Sequence, residues 1–418
     1  MWFQFVNDIL VWSLILLISI QAILVIRSKK MCRLWSPITF ISLVYIYYCI
    51  IPYFSDNQNV YGVSIESAKL YFNVGALLSY SCILLGYRVK TKTNFSTWNN
   101  LITLDNCRLY GVLLFVIGFL CYIPFRGFHM SIFNVSENVA FNRDGFTSYF
   151  IELISLFCAG SCLILANKKK RIDILFLVSI WISLVFYIIA GFRFRILLLF
   201  ISLFTTYHLF PKQRRVNYPV VIGLVMVLYI GFSIMENARS YGHGIDIERA
   251  LEFRNQKEFK RASENCYVYS MSALSMERMD KDNQFLYFEP IITALCMPLP
   301  RFLAPWKPDG SYLKDLQVKI FGTSDYGAAF LFFTEAFISW WWFGVILYSL
   351  FVGWFSKKLW DNYLNNPNSI GAIVLLGLYN AFCYVLISRG YMAQALNTFI
   401  YYVIMPFWLC QLFKKFSK

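Results

Sequence analysis

Apolar runs of about 20 residues recur along the whole chain, the length a helix needs to cross a hydrocarbon core. They predict spans at 6–26, 34–54, 65–87, 109–125, 148–167, 172–191, 194–210, 217–234, 330–355, 370–388 and 393–413. Between the eighth and ninth runs the pattern changes. Residues 246–282 mix Glu, Arg, Lys and Asp with scattered Ile247, Leu251, Phe259, Leu274 and Met279, which predicts one or two surface helices lying over the bundle. Residues 291–303 are apolar but too short to cross. Pro290, Pro298, Pro300, Pro305 and Pro308 break the helix there, so this stretch is expected to lie on the membrane or dip into it. The expected fold class is all-α, a polytopic integral membrane protein of about eleven transmembrane helices. Its parts are helices one to eight over 1–234, a large outer loop with short helices over 235–329, and helices nine to eleven over 330–418.

Charge gives this pattern a direction. The clusters Arg27/Lys29/Lys30/Arg33, Arg88/Lys90/Lys92/Arg108, Lys168/Lys169/Lys170/Arg171, Lys212/Arg214/Arg215, Lys357/Lys358 and Lys414/Lys415/Lys418 fall in alternate connections. With Asp105, Asp173 and Asp361 nearby they sum to +17, while the rest of the chain sums to −2. Lys/Arg excess in short loops marks the cytoplasmic side. The expected N-terminus is therefore outside, the C-terminus inside and 235–329 wholly outside. If 291–303 crossed, Lys357 and Lys358 would move to the wrong face.

Composition narrows the function classes. The net charge of +15 fits positive-inside loops in a chain that is 58% hydrophobic and 19% aromatic. No basic stripe interleaves with stacking aromatics in a soluble segment, so nucleic acid is not an expected partner. The 11 cysteines form no CxxC pair and no zinc spacing, and no metal or cofactor is expected. Cys266 and Cys296 both fall on the expected outer side, where a disulfide is chemically allowed, though nothing in the sequence argues for one.

The candidate chemistry collects at the outer ends of the spans, which carry arginine and not lysine: Arg126, Arg193, Arg195, Arg239 and Arg389. Arginine gives phosphate a planar, two-pronged hydrogen-bond partner and keeps its charge when desolvated. The set suggests a lipid head group bearing phosphate or pyrophosphate; anchoring to ordinary phospholipid is the plainer reading of any one of them. Arg193 and Arg195 stand about 200° apart on a helix, so they cannot share a face. Tyr241 and His243 follow Arg239 in a glycine-containing turn, where a sugar could reach His243; a solvated loop histidine is the alternative. Glu335, at the outer edge of a very apolar helix, is either a general base or one half of a salt bridge to a mouth arginine. Glu152 and Glu66 sit similarly near helix ends.

These residues bear a resemblance. The stretch Pro298-Leu299-Pro300-Arg301-Phe302-Leu303-Ala304-Pro305-Trp306-Lys307-Pro308 resembles the PRFL-P-KP stretch in the large outer loop of O-antigen polymerases of the Wzy type. Gly327…Thr334-Glu335-Ala336-Phe337…Gly344 is similar to that family's signature opening a late span, and Gly191…Arg193 to its G-x-R. The likeness covers about 190–355; the first half matches only in hydropathy, and an arginine-x10-glycine motif of some members is absent. The resemblance implies a glycosyltransferase at the periplasmic face of a bacterial inner membrane. It would polymerise undecaprenyl-pyrophosphate-linked oligosaccharide repeat units, without cofactor or metal. Its partners would be that lipid-linked substrate, membrane lipid and a polysaccharide chain-length regulator. Arg193, Arg195, Arg239, Tyr241, Arg301, Lys307 and Arg389 would hold pyrophosphate and sugar, with Glu335 as first choice of base and His243 as second. Trp306 and Trp340 to Trp342 would offer faces for sugars. An O-antigen ligase or another lipid-linked glycosyltransferase uses the same donor. A lipid-linked oligosaccharide flippase, of a different class, would need charge along a central passage, and the middles of these spans are nearly free of charge.

Overall fold

A computed structural model of the 418-residue chain describes residues 2–27, 31–55, 65–90, 96–125, 150, 152–167, 173–189, 193–210, 239–240, 244–245, 264–299, 304–308, 310–322 and 329–416. Apart from one short β-ladder, the described elements are helical. In chain order the main ones are α1 (Trp2–Arg27), α2 (Pro37–Tyr45), α3 (Ala68–Arg88), α4 (Leu104–Phe125), α5 (Leu156–Ala166), α6 (Ile174–Ile189) and α7 (Arg193–Leu209). There follow the strands β1 (Arg239–Ser240) and β2 (Gly244–Ile245), then α8 (Glu264–Asp282), α9 (Glu289–Cys296), α10 (Tyr312–Phe321), α11 (Phe332–Asn365), α12 (Ile370–Ser388), α13 (Met392–Thr398) and α14 (Met405–Phe416). A π-helical turn, Ile46–Ile50, prolongs α2, and another, Phe399–Ile404, joins α13 to α14.

Seven of these segments are long and apolar enough to span: Trp2–Arg27, Pro37–Phe54, Ala68–Arg88, Leu104–Tyr122, Phe332–Asn365, Ile370–Ser388 and Met392–Phe416. Leu156–Ala166, Ile174–Ile188 and Phe194–Leu209 are shorter apolar helices. α1 exposes Trp2, Phe3, Phe5, Ile9, Trp12, Leu16, Ile20 and Ile23 along its length. So large an apolar stripe is stable against lipid and not against water. The chain is a helical membrane protein. The expected span 217–234 lies outside the described residues; 148–167 contains α5, of 11 residues, which is buried almost throughout.

The chain divides into two compact units. The first comprises Met1–Thr93, Lys260–Asn362 and Cys383–Asn397; the second comprises Asn94–Phe259, Tyr363–Phe382 and Thr398–Lys418. In the first, α3 is the central post, with α1 and α8 packed on it. Phe72 of α3 meets Tyr269 of α8 (ring centroids 4.2 Å) and Phe333 of α11 (5.3 Å). One polar chain ties three helices: Asn73 Nδ2 donates to Asn7 Oδ1 (2.8 Å), and Tyr269 Oη donates to Asn73 Oδ1 (3.3 Å). Hydrogen bonds of this kind fix register where water cannot compete. Farther along α3, Gly86 lies against the backbone of Leu350 and Trp354, and Gly353 of α11 lies against the Ile83 carbonyl. In the second unit α4 and α5 cross in the same way, Gly111 and Gly160 each facing the other's carbonyl oxygen.

Two expectations need correction. The first is the continuous span 330–355. α11 is broken at Trp340 (φ −138°, ψ 34°) and Trp341 (φ 54°, ψ −148°). Its first part, 332–339, doubles back on the part that follows. Gly344 packs against the Ala336 carbonyl, and the Phe332 and Tyr348 ring centroids are 5.6 Å apart. Sixteen positions of unbroken helix would separate those residues by about 24 Å. The bend is pinned from outside. Asp280 accepts hydrogen bonds from Trp341 Nε1 (3.0 Å) and Tyr71 Oη (2.7 Å), and Leu286 N donates to the Ile338 carbonyl freed by the break (3.0 Å). Asn283 and Tyr287, the other described non-glycine residues with positive φ, lie in the same neighbourhood.

The second correction concerns 246–282. Its described part, α8, is not a surface helix: thirteen of its 19 residues are buried. Ser270, Ser272, Ala273 and Ser275 are small enough for neighbours to close on several faces, and Ser272 Oγ accepts from Leu331 N (3.0 Å). α9, at the start of the stretch 291–303, is two-sided. Pro290, Thr293, Ala294 and Cys296 are buried while Phe288, Ile292, Leu295 and Leu299 are exposed, the pattern of a helix lying in an interface.

Candidate functional site

Two candidates of the first unit, Glu335 and Arg389, meet at the three-residue turn between α12 and α13. α12 ends at Ser388, whose hydroxyl donates to the Tyr384 carbonyl (2.7 Å), and Arg389 N still donates to Val385 O (3.0 Å). Gly390 N then donates to Phe330 O (2.6 Å), directly before the doubled-back half-helix. No side chain fits at Gly390, because a Cβ there would collide with the backbone of Phe330 and Leu331. Met392 N, at the start of α13, donates to Glu335 Oε2. The turn is thus strapped at two points to the segment that opens α11.

Glu335 is 1% exposed. Its other oxygen, Oε1, accepts from Tyr312 Oη of α10. Burial first, and the neighbouring Glu335 carboxylate second, push the Tyr312 hydroxyl far above the ordinary tyrosine range, so it remains a donor. Ser339 Oγ donates to the Glu335 backbone carbonyl (2.8 Å). The Tyr312 and Tyr391 rings meet at 5.7 Å, and the Tyr391 hydroxyl reaches the backbone at Gly310. The partners seen for this carboxyl group are a phenol and the Met392 amide.

Arg389 opens the same turn. Its Nη2 pairs with Glu264 Oε1 at 2.9 Å, with about a third of each side chain exposed (30% and 31%). Glu264 opens α8, and the next residue, Asn265, donates through Nδ2 to the Tyr47 carbonyl in the π-helical turn (3.1 Å). Tyr48 of that turn shares a hydrogen bond with Tyr384 of α12 (3.0 Å). π-turns inside helices often mark functional sites because they re-aim side chains and free carbonyls. The arrangement offers a partly open guanidinium paired with the carboxylate of Glu264.

The remaining candidates are placed as follows. Lys307 Nζ donates to the carbonyls of Met297 (2.7 Å) and Leu299 (3.1 Å), just beyond α9. In the second unit Arg195 is the inward arginine of its pair, 3% exposed and bonded to Glu152 Oε2 at 3.3 Å. Arg193 begins α7, and its side chain lies outside the described residues, as do Tyr241, His243, Arg301 and Arg126. Arg239 is described only as backbone, in an antiparallel ladder that pairs it with Ile245 and Ser240 with Gly244. Glu66 pairs with Lys69 at 2.6 Å. Cys266 and Cys296 are both buried free thiols. Of the indoles, Trp306 is exposed, while Trp341 is bonded to Asp280. Among the described residues no group of three or more His, Cys, Asp or Glu is arranged to hold a metal ion.

Sequence reasoning missed Tyr312, Glu264, Tyr48 and Tyr384. They lie far along the chain from the groups they touch, and no local spacing marks them. Set against known protein families, curated proteins and solved structures, the chain matches none.

Proposed function

We propose that this chain is a polymerase of lipid-linked oligosaccharide repeat units, working at the outer face of a bacterial inner membrane. In this reading eleven spans run from an outer N-terminus to an inner C-terminus, and 235–329 stays outside. The growing polysaccharide leaves its polyprenyl pyrophosphate and passes to a sugar hydroxyl of the next lipid-linked unit. The bond broken is the glycosyl–phosphate bond; the bond formed is glycosidic; the hydroxyl proton goes to a base. Arg389 holds the pyrophosphate and stabilises the charge that develops on it as it leaves. The candidates for that base are Glu335, which is buried against Tyr312 and the Met392 amide, and His243. Arg193, Arg195, Arg239, Arg301, Lys307 and Tyr241 are the further candidates for holding the substrate.

The observation that carries this reading is Arg389, a guanidinium about a third exposed at the end of a long apolar helix and paired with the carboxylate of Glu264. Arg389→Lys keeps the charge but loses the two-pronged geometry. At matched membrane level, that variant is expected to cut polymerisation on the order of tenfold to a hundredfold, leaving short ladders dominated by single repeat units. Wild-type ladders from Arg389→Lys would make Arg389 an interfacial anchor. Polysaccharide joined only to a lipid core, with no ladder of free lipid-linked oligomers, would favour a ligase.

A further inference from the structure

The turn that carries Arg389 is short: three residues, one of them glycine, join two helices. What holds it is α10 and the start of α11. Tyr312 reaches Glu335, Glu335 reaches Met392 N, and Phe330 O takes Gly390 N (2.6 Å). Arg389 lies between Ser388, still bonded to α12, and Gly390, already strapped to Phe330. α10 in turn comes from the connection between α9 and α11, outside the candidate spans.

We propose that Tyr312 and Glu335 form a clasp that positions Arg389, so that the seating of α10 sets the place of the guanidinium. The inference rests on the reading of Arg389 as the group that holds pyrophosphate. Glu335 is then a positioning residue, acting through the amide of Met392 and the turn behind it. Tyr312, which no motif singles out, is its partner. Two hydrogen bonds to one buried carboxylate convert a contact of α10 into a constraint on a turn 77 positions later in the chain.

The substitutions separate this role from proton transfer. Glutamine at 335 accepts from Met392 N through Oε1 and turns its amide toward Tyr312 Oη, which accepts as well as donates. Alanine loses both bonds. Tyr312→Phe removes only the hydroxyl and keeps the ring against Tyr391, so it tests the clasp even where Glu335→Ala folds poorly. The measurement is amide hydrogen exchange over 386–396 in the full-length protein in lipid nanodiscs, read beside ladder length at matched membrane level. Glu335→Ala should speed exchange at Gly390 and Met392 about tenfold, the loss of one buried hydrogen bond. Tyr312→Phe should speed it severalfold. Both should shorten the ladder, the double variant should be no shorter than Glu335→Ala alone, and Glu335→Gln should restore most of what alanine loses.

Wild-type exchange at 388–392 in both Tyr312→Phe and Glu335→Ala would overturn the clasp. So would a collapsed ladder in Glu335→Gln with exchange unchanged, because that pattern belongs to a general base. Faster exchange with full-length ladders would keep the clasp and remove Arg389 from the transfer step, which is a failure of the proposed function alone.

Discussion

Two arginines define the residue scale, and their surroundings separate them. Arg195 is 3% exposed and faces Glu152, whereas Arg389 keeps about a third of its surface open. A guanidinium sealed inside an apolar unit needs a fixed counter-charge, since an unbalanced buried charge costs more than most single contacts return. Glu152→Gln should therefore lower stability on the order of 2–3 kcal/mol, discounted for the solvent Glu152 still meets. A lowered Tm of the purified protein would show it, and an unchanged Tm would contradict it. The spacing of Arg193 and Arg195 already implied that they do not share a face. That Glu335 needs a partner was legible, but the expected one, a mouth arginine, is not among its described contacts, which are Tyr312 and the Met392 amide. Which partners was not legible. Tyr312 and Met392 stand 23 and 57 positions away and reach it only through folds of the chain that no periodicity encodes.

At the scale of elements, helices in this protein approach through glycine. Gly111 and Gly160 each sit beneath the other's carbonyl, and Gly86 and Gly353 repeat the device between α3 and α11. Lipid offers no hydrophobic drive between helices, so close backbone approach supplies the packing. Gly160→Leu should part α4 from α5 at a cost of about 1–3 kcal/mol. Faster proteolysis or amide exchange in α5 would report the parting; wild-type protection would show that the crossing tolerates bulk. The apolar runs located most described helices to within a few residues, because length and hydropathy decide what crosses a bilayer. They missed the reversal in α11 for a physical reason. A window average over 330–355 is the same for one straight span and for a half-helix folded back on its continuation, and Trp340 and Trp341 are neither proline nor glycine. The burial of α8 was hidden similarly: its mixed polarity reads as surface, yet its serines and alanine let other helices close around it.

At the scale of the whole molecule, the basic clusters and the outer arginines sort onto opposite ends of the expected spans. On the proposed reading, that sorting would put chemistry on an anionic lipid-linked substrate at the outer face. Polymerisation on such a face needs no energy source beyond the glycosyl–phosphate bond it breaks. The direct measurement is reconstitution of the full chain in proteoliposomes with purified polyprenyl-pyrophosphate-linked repeat units as the only other component. The products should be lipid-linked oligomers of increasing length, with one polyprenyl pyrophosphate released for each glycosidic bond formed, and Arg389→Lys should slow both together. Units that change leaflet without joining, or that remain single while the protein stays folded, would contradict the polymerase reading.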